Sequence, residues 1–300
     1  MIPVAGVDIG GTKTAAGLVA PDGTLLARRM LPTPAQDGPD AVIATAVRAV
    51  RELDAPVAAV GVGSAGVVDP GTGRIVAATD ALPGWAGTEL RRELEQALGV
   101  PVAIDNDVHA HALGEAWLGA ATGHRHVLLV AIGTGIGGSL LIDGQVHHGA
   151  RAVAGHVGHV PVPSAAGAAC TCGGTGHVEA VGSGPALLAA YRGRGTGSAA
   201  SLAEVSALAS AGDAEARAVL ALGARALGEA LGGIVNTTDP ELVLIGGGVS
   251  GCGPEWWGPL REAFEAELLT PLKDVELRPG LLGGDAAVLG AARLALEALL

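Results

Sequence analysis

Val7-Asp8-Ile9-Gly10-Gly11-Thr12-Lys13-Thr14 is the stretch on which the reading of this chain turns. The apolar run Ile2 to Ile9 predicts a buried strand. It ends in a carboxylate, two glycines and Thr-Lys-Thr, and Thr14 to Ala20 then returns as a second strand before the turn Asp22-Gly23. Glycine lacks a Cβ, so backbone N–H groups at Gly10 and Gly11 can close on an anion. Lys13 and the hydroxyls of Thr12 and Thr14 add donors for phosphate oxygens. Asp8 stands where it can hold a magnesium ion through water. The layout recurs: Val127 to Ile132 is apolar, Gly133-Thr134-Gly135-Ile136-Gly137-Gly138 turns, Ser139 to Ile142 returns, and Asp143-Gly144 turns again. Two such hairpins predict two similar halves facing one nucleotide.

The chain has 300 residues, enough for two domains. It is 49% hydrophobic but only 2% aromatic, so its core must be built from Ala, Val and Leu. The net charge of −12 and the lack of a basic cluster argue against nucleic acid or an anionic membrane as partner. Val127 to Ile142, the longest apolar stretch, is rich in Gly and reads as a hairpin rather than a membrane span. Met1 leads directly into a strand, with no basic segment or cleavage site of a signal peptide. The three cysteines are Cys170, Cys172 and Cys252, two of them in C-x-C; this argues for a reducing, cytoplasmic setting.

Downstream of the first hairpin, Thr24 to Leu31 predicts a third strand, Pro39 to Leu53 a helix, and Val57 to Val62 a buried strand leading into Gly63-Ser64-Ala65-Gly66. After a loop over 79–88 come a helix from Glu89 to Leu98, a strand from Val102 to Ile104, Asp105-Asn106-Asp107, and a helix from about Val108 to Leu118. Gly119 to Gly123 reads as a hinge. The second hairpin and a loop-rich stretch, His147 to Glu179, precede helices at Gly184–Arg192, Ser201–Ser210 and Glu215–Val235, with a surface loop over 193–198. Leu242 to Ile245 is a strand ending in Gly246-Gly247-Gly248, and helices Glu255 to Leu269 and Ala286 to Leu299 follow. The β-β-β-α order, seen twice, predicts an α/β fold with a mixed sheet in duplicated halves.

Three groups of residues carry chemistry. The two G-x-G-x-x-G matches, at Gly133 and Gly246, lack the strand–turn–helix setting of a dinucleotide site, so paired phosphate hairpins are the better reading. Asn106-Asp107 ends a strand where three cap-type residues stand in a row and a helix needs one. A carboxylate there can take the proton of an attacking hydroxyl, and Asn106 can hold a neighbouring one. Finally, His159, Cys170, Cys172 and His177 offer two nitrogens and two sulfurs within 159–177, the ligand set of a structural, tetrahedral zinc ion.

DIGGTK at 8–13, NDVHAHALGE at 106–115, IGTGIGG at 132–138, AGHVGH at 154–159, CTCGGTGHVE at 170–179, IGGG at 245–248 and GLLGGDAAVLGAA at 280–292 together resemble the ROK family: repressors, open reading frames and sugar kinases. The resemblance spans nearly the whole chain. It implies a two-lobed, actin-like (ribonuclease H-like) ATPase fold. The N-terminal lobe would be 1–118, completed by a helix over 286–300, and the C-terminal lobe 119–285, carrying the zinc loop 155–180. It implies ATP, Mg2+ and a sugar as ligands, and a homodimer. Asp107 would be the base; Gly66, Asn106, His156, His159 and Glu179 would contact the sugar; Gly10, Gly11, Thr12, Lys13, Thr134, Gly135, Gly137 and Gly138 would hold phosphates; and Gly246, Gly247 and Gly248 would lie by the adenosine.

The chain departs from the family pattern twice. His177 stands where the family has a third cysteine, and His156 where it has a sugar-binding glutamate. The A-G-H-x-G-H form is similar to that of some bacterial N-acetylmannosamine kinases. The DNA-binding domain of ROK repressors would precede DIGGTK, which begins here at residue 8. The expected activity is transfer of phosphate from ATP to the 6-hydroxyl of a hexose or N-acetylhexosamine, N-acetylmannosamine first and glucose second. A sugar-sensing protein without catalysis is the alternative from another class.

Overall fold

The computed structural model describes residues 2–79, 81–194 and 198–300. Positions 195–197 of the loop expected over 193–198, and position 80 of the loop over 79–88, lie outside the described residues. The strands are β1 (Val4–Ile9), β2 (Lys13–Val19), β3 (Leu25–Pro32), β4 (Val60–Ser64), β5 (Val67–Asp69), β6 (Arg74–Ala77), β7 (Val102–Asn106), β8 (Val127–Ile132), β9 (Ile136–Ile142), β10 (Gln145–Val146), β11 (Leu242–Gly246) and β12 (Glu276–Pro279). The helices are α1 (Pro39–Arg51), α2 (Leu90–Leu98), α3 (Asp107–Leu118), α4 (Glu179–Gly182), α5 (Gly184–Gly193), α6 (Leu202–Ser210), α7 (Ala214–Thr238), α8 (Pro254–Glu267) and α9 (Ala286–Glu297).

The chain forms two compact units, one from residues through Gly123 with Gly144–Ala154 and Leu281–Leu300, the other from His124–Asp143 with Gly155–Gly280. The first sheet runs β3-β2-β1-β4-β7 and the second β10-β9-β8-β11-β12. In each, the opening strand pairs antiparallel with its successor and parallel with a later strand, as β1 does with β2 and β4, and β8 with β9 and β11. This repeated order is the duplicated α/β architecture expected from the two hairpins. The central strands are apolar on both faces, as strands covered on both sides must be, whereas the edge strand β3 exposes Arg28 and Arg29.

The hairpin β5–β6 and strand β12 carry no counterpart among the expected strands. The first is short and turns through Pro70 to Gly73; the second is a polar edge strand with little apolar pattern to announce it. β4 starts at Val60 rather than Val57, because the bonds from Ala58 N to the Pro3 carbonyl and from Ala5 N to the Ala59 carbonyl join the strand only at its end. Helix α7 is long and apolar enough to cross a membrane by composition; 61% of its apolar window is buried within the protein, and it packs on α8.

The first unit is held by backbone contacts as close as those of side chains elsewhere. Helix α9 lies flush on β1 and β4: a Cβ at Gly6 would collide with the Val288 carbonyl, and one at Gly61 with the Ala291 carbonyl. On its other side a Cβ at Gly290 would meet the Ala110 carbonyl of α3. Val4, Val19, Ala292 and Ala295 close the same cluster. Gly233, by contrast, sits in α7 with open space around it.

These surroundings predict opposite outcomes for the same change. Gly290→Ala should destabilise by about 3 kcal/mol, because overpacking a tight contact typically costs 1–3 kcal/mol. Gly233→Ala should stabilise by roughly 0.5–1 kcal/mol, the helix-propensity difference. Thermal and denaturant unfolding of both variants measures the contrast, and equal effects would contradict the packing described.

Candidate active site

The first unit presents Asp8 at the penultimate position of β1 and the turn Gly10–Thr12, closed by a bond from Gly10 N to the Lys13 carbonyl at 3.0 Å. Lys13 and Thr12 are exposed there. Thr14, expected to offer its hydroxyl to phosphate, does not: strand alternation turns it inward, fully buried, with its Oγ1 2.8 Å from that of Thr33. Burial, and next the charge of Asp107, push the Asp8 carboxyl up to about 7, against the pull of Lys13 and Arg28. A carboxylate raised by a neighbouring carboxylate suits a divalent cation, whose charge offsets the repulsion. Asp8 therefore fits the role of holding a hydrated magnesium ion.

Asp107 opens α3 immediately after β7. Asn106 is the N-cap: its Oδ1 accepts from Val108 N at 2.9 Å and His109 N at 3.3 Å, while its Nδ2 donates to the Gly66 carbonyl at 2.9 Å. The Asn106 amide also hydrogen-bonds the Asp107 carboxylate, so the cap residue and the neighbouring acid are held together. Gly66 has φ +98 and contributes through its backbone, since a Cβ would stand 2.6 Å from the Ala77 carbonyl. Burial raises the Asp107 carboxyl, with the N–H of Val108, 3.0 Å from Oδ1, opposing it. The ionised Asp107 carboxylate can accept a proton from a hydroxyl placed beside it.

In the second unit the turn after β8 is closed by Gly133 N to the Gly135 carbonyl at 2.9 Å. Gly137 and Gly138 lie beyond it, in the ladder of β9 opposite Ala131 and Val130. Gly138 N donates to the Gly155 carbonyl at 2.7 Å, so its amide is not available to a phosphate; the turn residues Gly133 to Gly135 are the open part of this hairpin. Glu179, expected at the sugar, accepts from Ile136 N at 2.8 Å and from the Thr171 hydroxyl at 2.9 Å. It thus joins this hairpin to the cysteine loop.

At the end of β11, Gly246 pairs with Ala131, Gly247 adopts φ +82 where a Cβ would strike Ile132, and Gly248 opens a short turn. A cavity of about 400 Å³ lies here, lined by Thr134, Gly184, Leu202, Ser206, Gly248 and Val249 among others. Its size and largely apolar wall suit a nucleoside. Leu202 and Ser206 come from α6, where nothing in the local sequence distinguishes them from ordinary helix residues.

His159, Cys170, Cys172 and His177 converge, with their ligand atoms all within 4.8 Å of one another. Cys170 Sγ is 3.8 Å from His159 Nδ1, and Cys172 Sγ is 3.2 Å from His177 Nδ1. Donors about 2.0–2.3 Å from one tetrahedral zinc stand roughly 3.3–3.8 Å apart, so the set can hold one ion. The turn from Cys170 to Gly174 is closed by two backbone bonds, at 2.9 and 3.0 Å, that bring both sulfurs to one side. His156 is exposed, its ring 6.1 Å from that of His159 and inclined by 28°.

A third convergence went unread in the sequence. Asp105, His109 and His148 meet in the first unit, with Asp105 Oδ1 2.8 Å from His109 Nδ1 and Oδ2 2.8 Å from His148 Nε2. These are hydrogen-bond lengths, shorter than the roughly 3.3 Å between nitrogen or oxygen ligands of one zinc ion. Burial alone would raise the Asp105 carboxyl, but bonds from His109 and His148 outweigh it and hold the group at about 2. The bond to Asp105 in turn raises His148.

The profile of the ROK family matches residues 4–298. A glucokinase of Halalkalibacterium halodurans is 33% identical over 306 residues, covering 95% of this chain and 92% of that protein. An N-acetylmannosamine kinase of Escherichia coli is 34% identical over 291 residues, covering 96% and 97%. The crystal structure of a ROK family glucokinase from Streptomyces griseus in complex with glucose and AMPPNP gives a TM-score of 0.85 at 32% identity, covering 98% of this chain and 99% of that one.

The ligand cluster predicts about one zinc per chain by elemental analysis, since the four donors suit a single tetrahedral ion. His177→Ala should lose most of it, whereas Cys252→Ser, at a buried thiol outside the cluster, should keep it. Because the ion would tie His159 to Cys170, Cys172 and His177 across the loop, chelation should make 159–177 more sensitive to protease. Retention of zinc in His177→Ala would exclude His177 as a ligand.

Proposed function

The chain belongs to the ROK family, and from that premise we propose that it is an ATP-dependent sugar kinase acting on the 6-hydroxyl of a hexose or N-acetylhexosamine. The observation that carries this reading is Asp107: a half-buried carboxylate with a raised pKa, next to the residue that caps α3 and within the electrostatic reach of Asp8. Relatives of both kinase types and a solved complex with glucose and AMPPNP support the class.

In the proposed reaction the sugar hydroxyl gives its proton to Asp107 as its oxygen attacks the γ-phosphorus. A new P–O bond forms, the bond to the β–γ bridging oxygen breaks, and ADP leaves. Asp8 would hold magnesium, which would supply positive charge to the phosphate oxygens. The turns Gly10–Lys13 and Gly133–Gly135 offer the backbone amides of Gly11, Thr12, Thr134 and Gly135 to phosphate, since those of Gly10 and Gly133 close the turns themselves; the cavity beside Gly248 takes the adenosine, and Asn106 and Glu179 orient the acceptor. Glu179 is restrained for that task by Ile136 and Thr171. Zinc at His159, Cys170, Cys172 and His177 would order the loop that carries His156, His159 and Glu179.

The acceptor we favour is N-acetylmannosamine, on the strength of His156. A carboxylate accepts from two vicinal hydroxyls, whereas neutral imidazole accepts one bond and donates one. A donated N–H suits an acetamido carbonyl. The glucokinase relatives favour glucose as the second reading.

An ADP-release assay with glucose, mannose, N-acetylglucosamine and N-acetylmannosamine decides among these readings. We expect the highest kcat/KM for N-acetylmannosamine and a shift toward glucose in His156→Glu; a glucose preference untouched by the substitution would overturn the role of His156. No turnover with any sugar would favour the sensor.

Asp107→Asn keeps the side chain's size and should lower kcat by about 10²–10⁴-fold, the usual worth of a general base. Sugar binding by calorimetry should persist. The base works deprotonated, and its folded pKa is raised, so activity should fall as pH drops through that raised value. The acid limb of the pH–rate profile should therefore lie above the ordinary aspartate value of about 3.9. A profile flat down to that pH would contradict the assignment.

A further inference from the structure

Asp105 takes no part in the reaction just described, yet it is one of the most enclosed charged groups of the first unit, 3% exposed. Its carboxylate receives three bonds. Asn106 N donates to Oδ1 at 2.7 Å, His109 Nδ1 stands 2.8 Å from the same oxygen, and His148 Nε2 stands 2.8 Å from Oδ2. An ionised carboxylate only accepts, so both imidazoles donate to it. Residues 106 and 109 flank Asp107 on the β7–α3 junction, and both are fixed by this one group. Asn106 carries the restraint onward through its bonds to Val108 N and to the Gly66 carbonyl. His109 also directs its Nε2 toward the Ala154 carbonyl, at 3.4 Å. His148 and Ala154 both belong to Gly144–Ala154, the segment that the first unit takes from the middle of the chain. The helix cap needs none of this: Asn106 Oδ1 already serves the α3 amides. Helix geometry alone therefore does not account for a buried carboxylate with two histidines, and charge-assisted bonds of this kind are the stronger ones available for holding a loop.

We propose that Asp105, bridging His109 and His148, is the positioning group of the phosphoryl-transfer site, holding Asn106 and Asp107 in the orientation that meets the acceptor hydroxyl. This rests on the kinase reading above. Asp105 touches no substrate in that scheme; it acts through its neighbours. His148, whose side chain is 27% exposed, is the accessible end of the bridge and the safer place to cut it.

The test compares Asp105→Asn, His148→Leu and His148→Gln in the full-length enzyme. Asparagine puts an NH2 where a donor now points, so one of the three bonds is lost. Leucine at 148 removes the donor, and glutamine restores an N–H at similar reach. A misplacement of about 1 Å at a reacting group can cost 10²-fold in rate, so Asp105→Asn should lower kcat by roughly 30- to 100-fold and His148→Leu by about 10-fold. KM for ATP should change little, because the bonds of Asp105 go to Asn106, His109 and His148 and not to the residues assigned to ATP. His148→Gln should return to within about threefold of wild type, as rescue by the conservative variant requires; a merely structural role would move the melting temperature and leave this kcat ordering absent. If Asp105→Asn does not fold, the His148 pair carries the test alone. Wild-type kcat in His148→Leu, equal losses in His148→Leu and His148→Gln, or a loss confined to KM for ATP would overturn the proposal. If the wild type turns over no sugar, the kinase reading falls and this inference with it; if it turns over sugar and the His148 pair is indistinguishable, only the positioning role falls.

Discussion

In the first unit a helix backbone occupies the space where side chains ordinarily stand. Carbonyls of α9 reach the sheet at Gly6 and Gly61, and the same helix meets α3 at Gly290. Dispersion falls off steeply with distance, so such close contact gives many favourable atom pairs per residue without large side chains. That is how a chain with 2% aromatic residues reaches interior packing. The contact also fixes the parts that matter chemically. β1 carries Asp8 at its penultimate position, the strand beside β4 is β7, and α3 begins with Asp107, so the helix resting on β1 and β4 supports the platform that bears both carboxylates.

Three aspartates of that unit, Asp8 in β1, Asp105 in β7 and Asp107 at the start of α3, have their pKa values driven apart. Asp105 is held at about 2 by two imidazoles, whereas Asp8 is raised to about 7 and Asp107 is raised as well. Desolvation pushes all three the same way; the partners decide the outcome. The group with two matched donors is the one kept ionised. The two left with weaker compensation, Asp8 and Asp107, are those to which the proposed reaction assigns a metal and a proton. Environments that drive the pKa values of neighbouring acids apart are how one small region divides structural from chemical work.

The sequence made some of this plain and hid the rest for physical reasons. Central strands β1, β8 and β11 announce themselves because strands buried on both faces must be continuously apolar, and Gly10-Gly11 and Gly133 to Gly135 mark their turns. The convergence of His159, Cys170, Cys172 and His177 was legible because the four residues crowd into one loop. What stayed hidden depends on contacts between distant residues. Asp105 looked like one more cap in Asp105-Asn106-Asp107, since its partner His148 is 43 residues away. Leu202 and Ser206 follow an ordinary helical pattern and line the cavity only because α6 is placed there. Thr14 misled because a hydroxyl next to Lys13 looks available, while the pleat sends successive side chains to opposite faces. The return of Gly144–Ala154 to the first unit has no compositional mark.

That the first unit is assembled from three separate stretches bears on how the protein is made. Leu281–Leu300 supply α9, whose Val288, Ala291, Ala292 and Ala295 are fully buried in that unit. A ribosome releases these residues after all of the second unit. The second unit's last segment, by contrast, ends at Gly280 and can be completed earlier. During synthesis the strands β1, β2 and β4 therefore wait with their helix-facing glycines uncovered, and their burial depends on contacts spanning most of the chain. Nascent chains of this protein present an open, Ala- and Gly-rich sheet surface until the final helix emerges, the stage at which holdase chaperones have most to protect and pauses in translation have most effect.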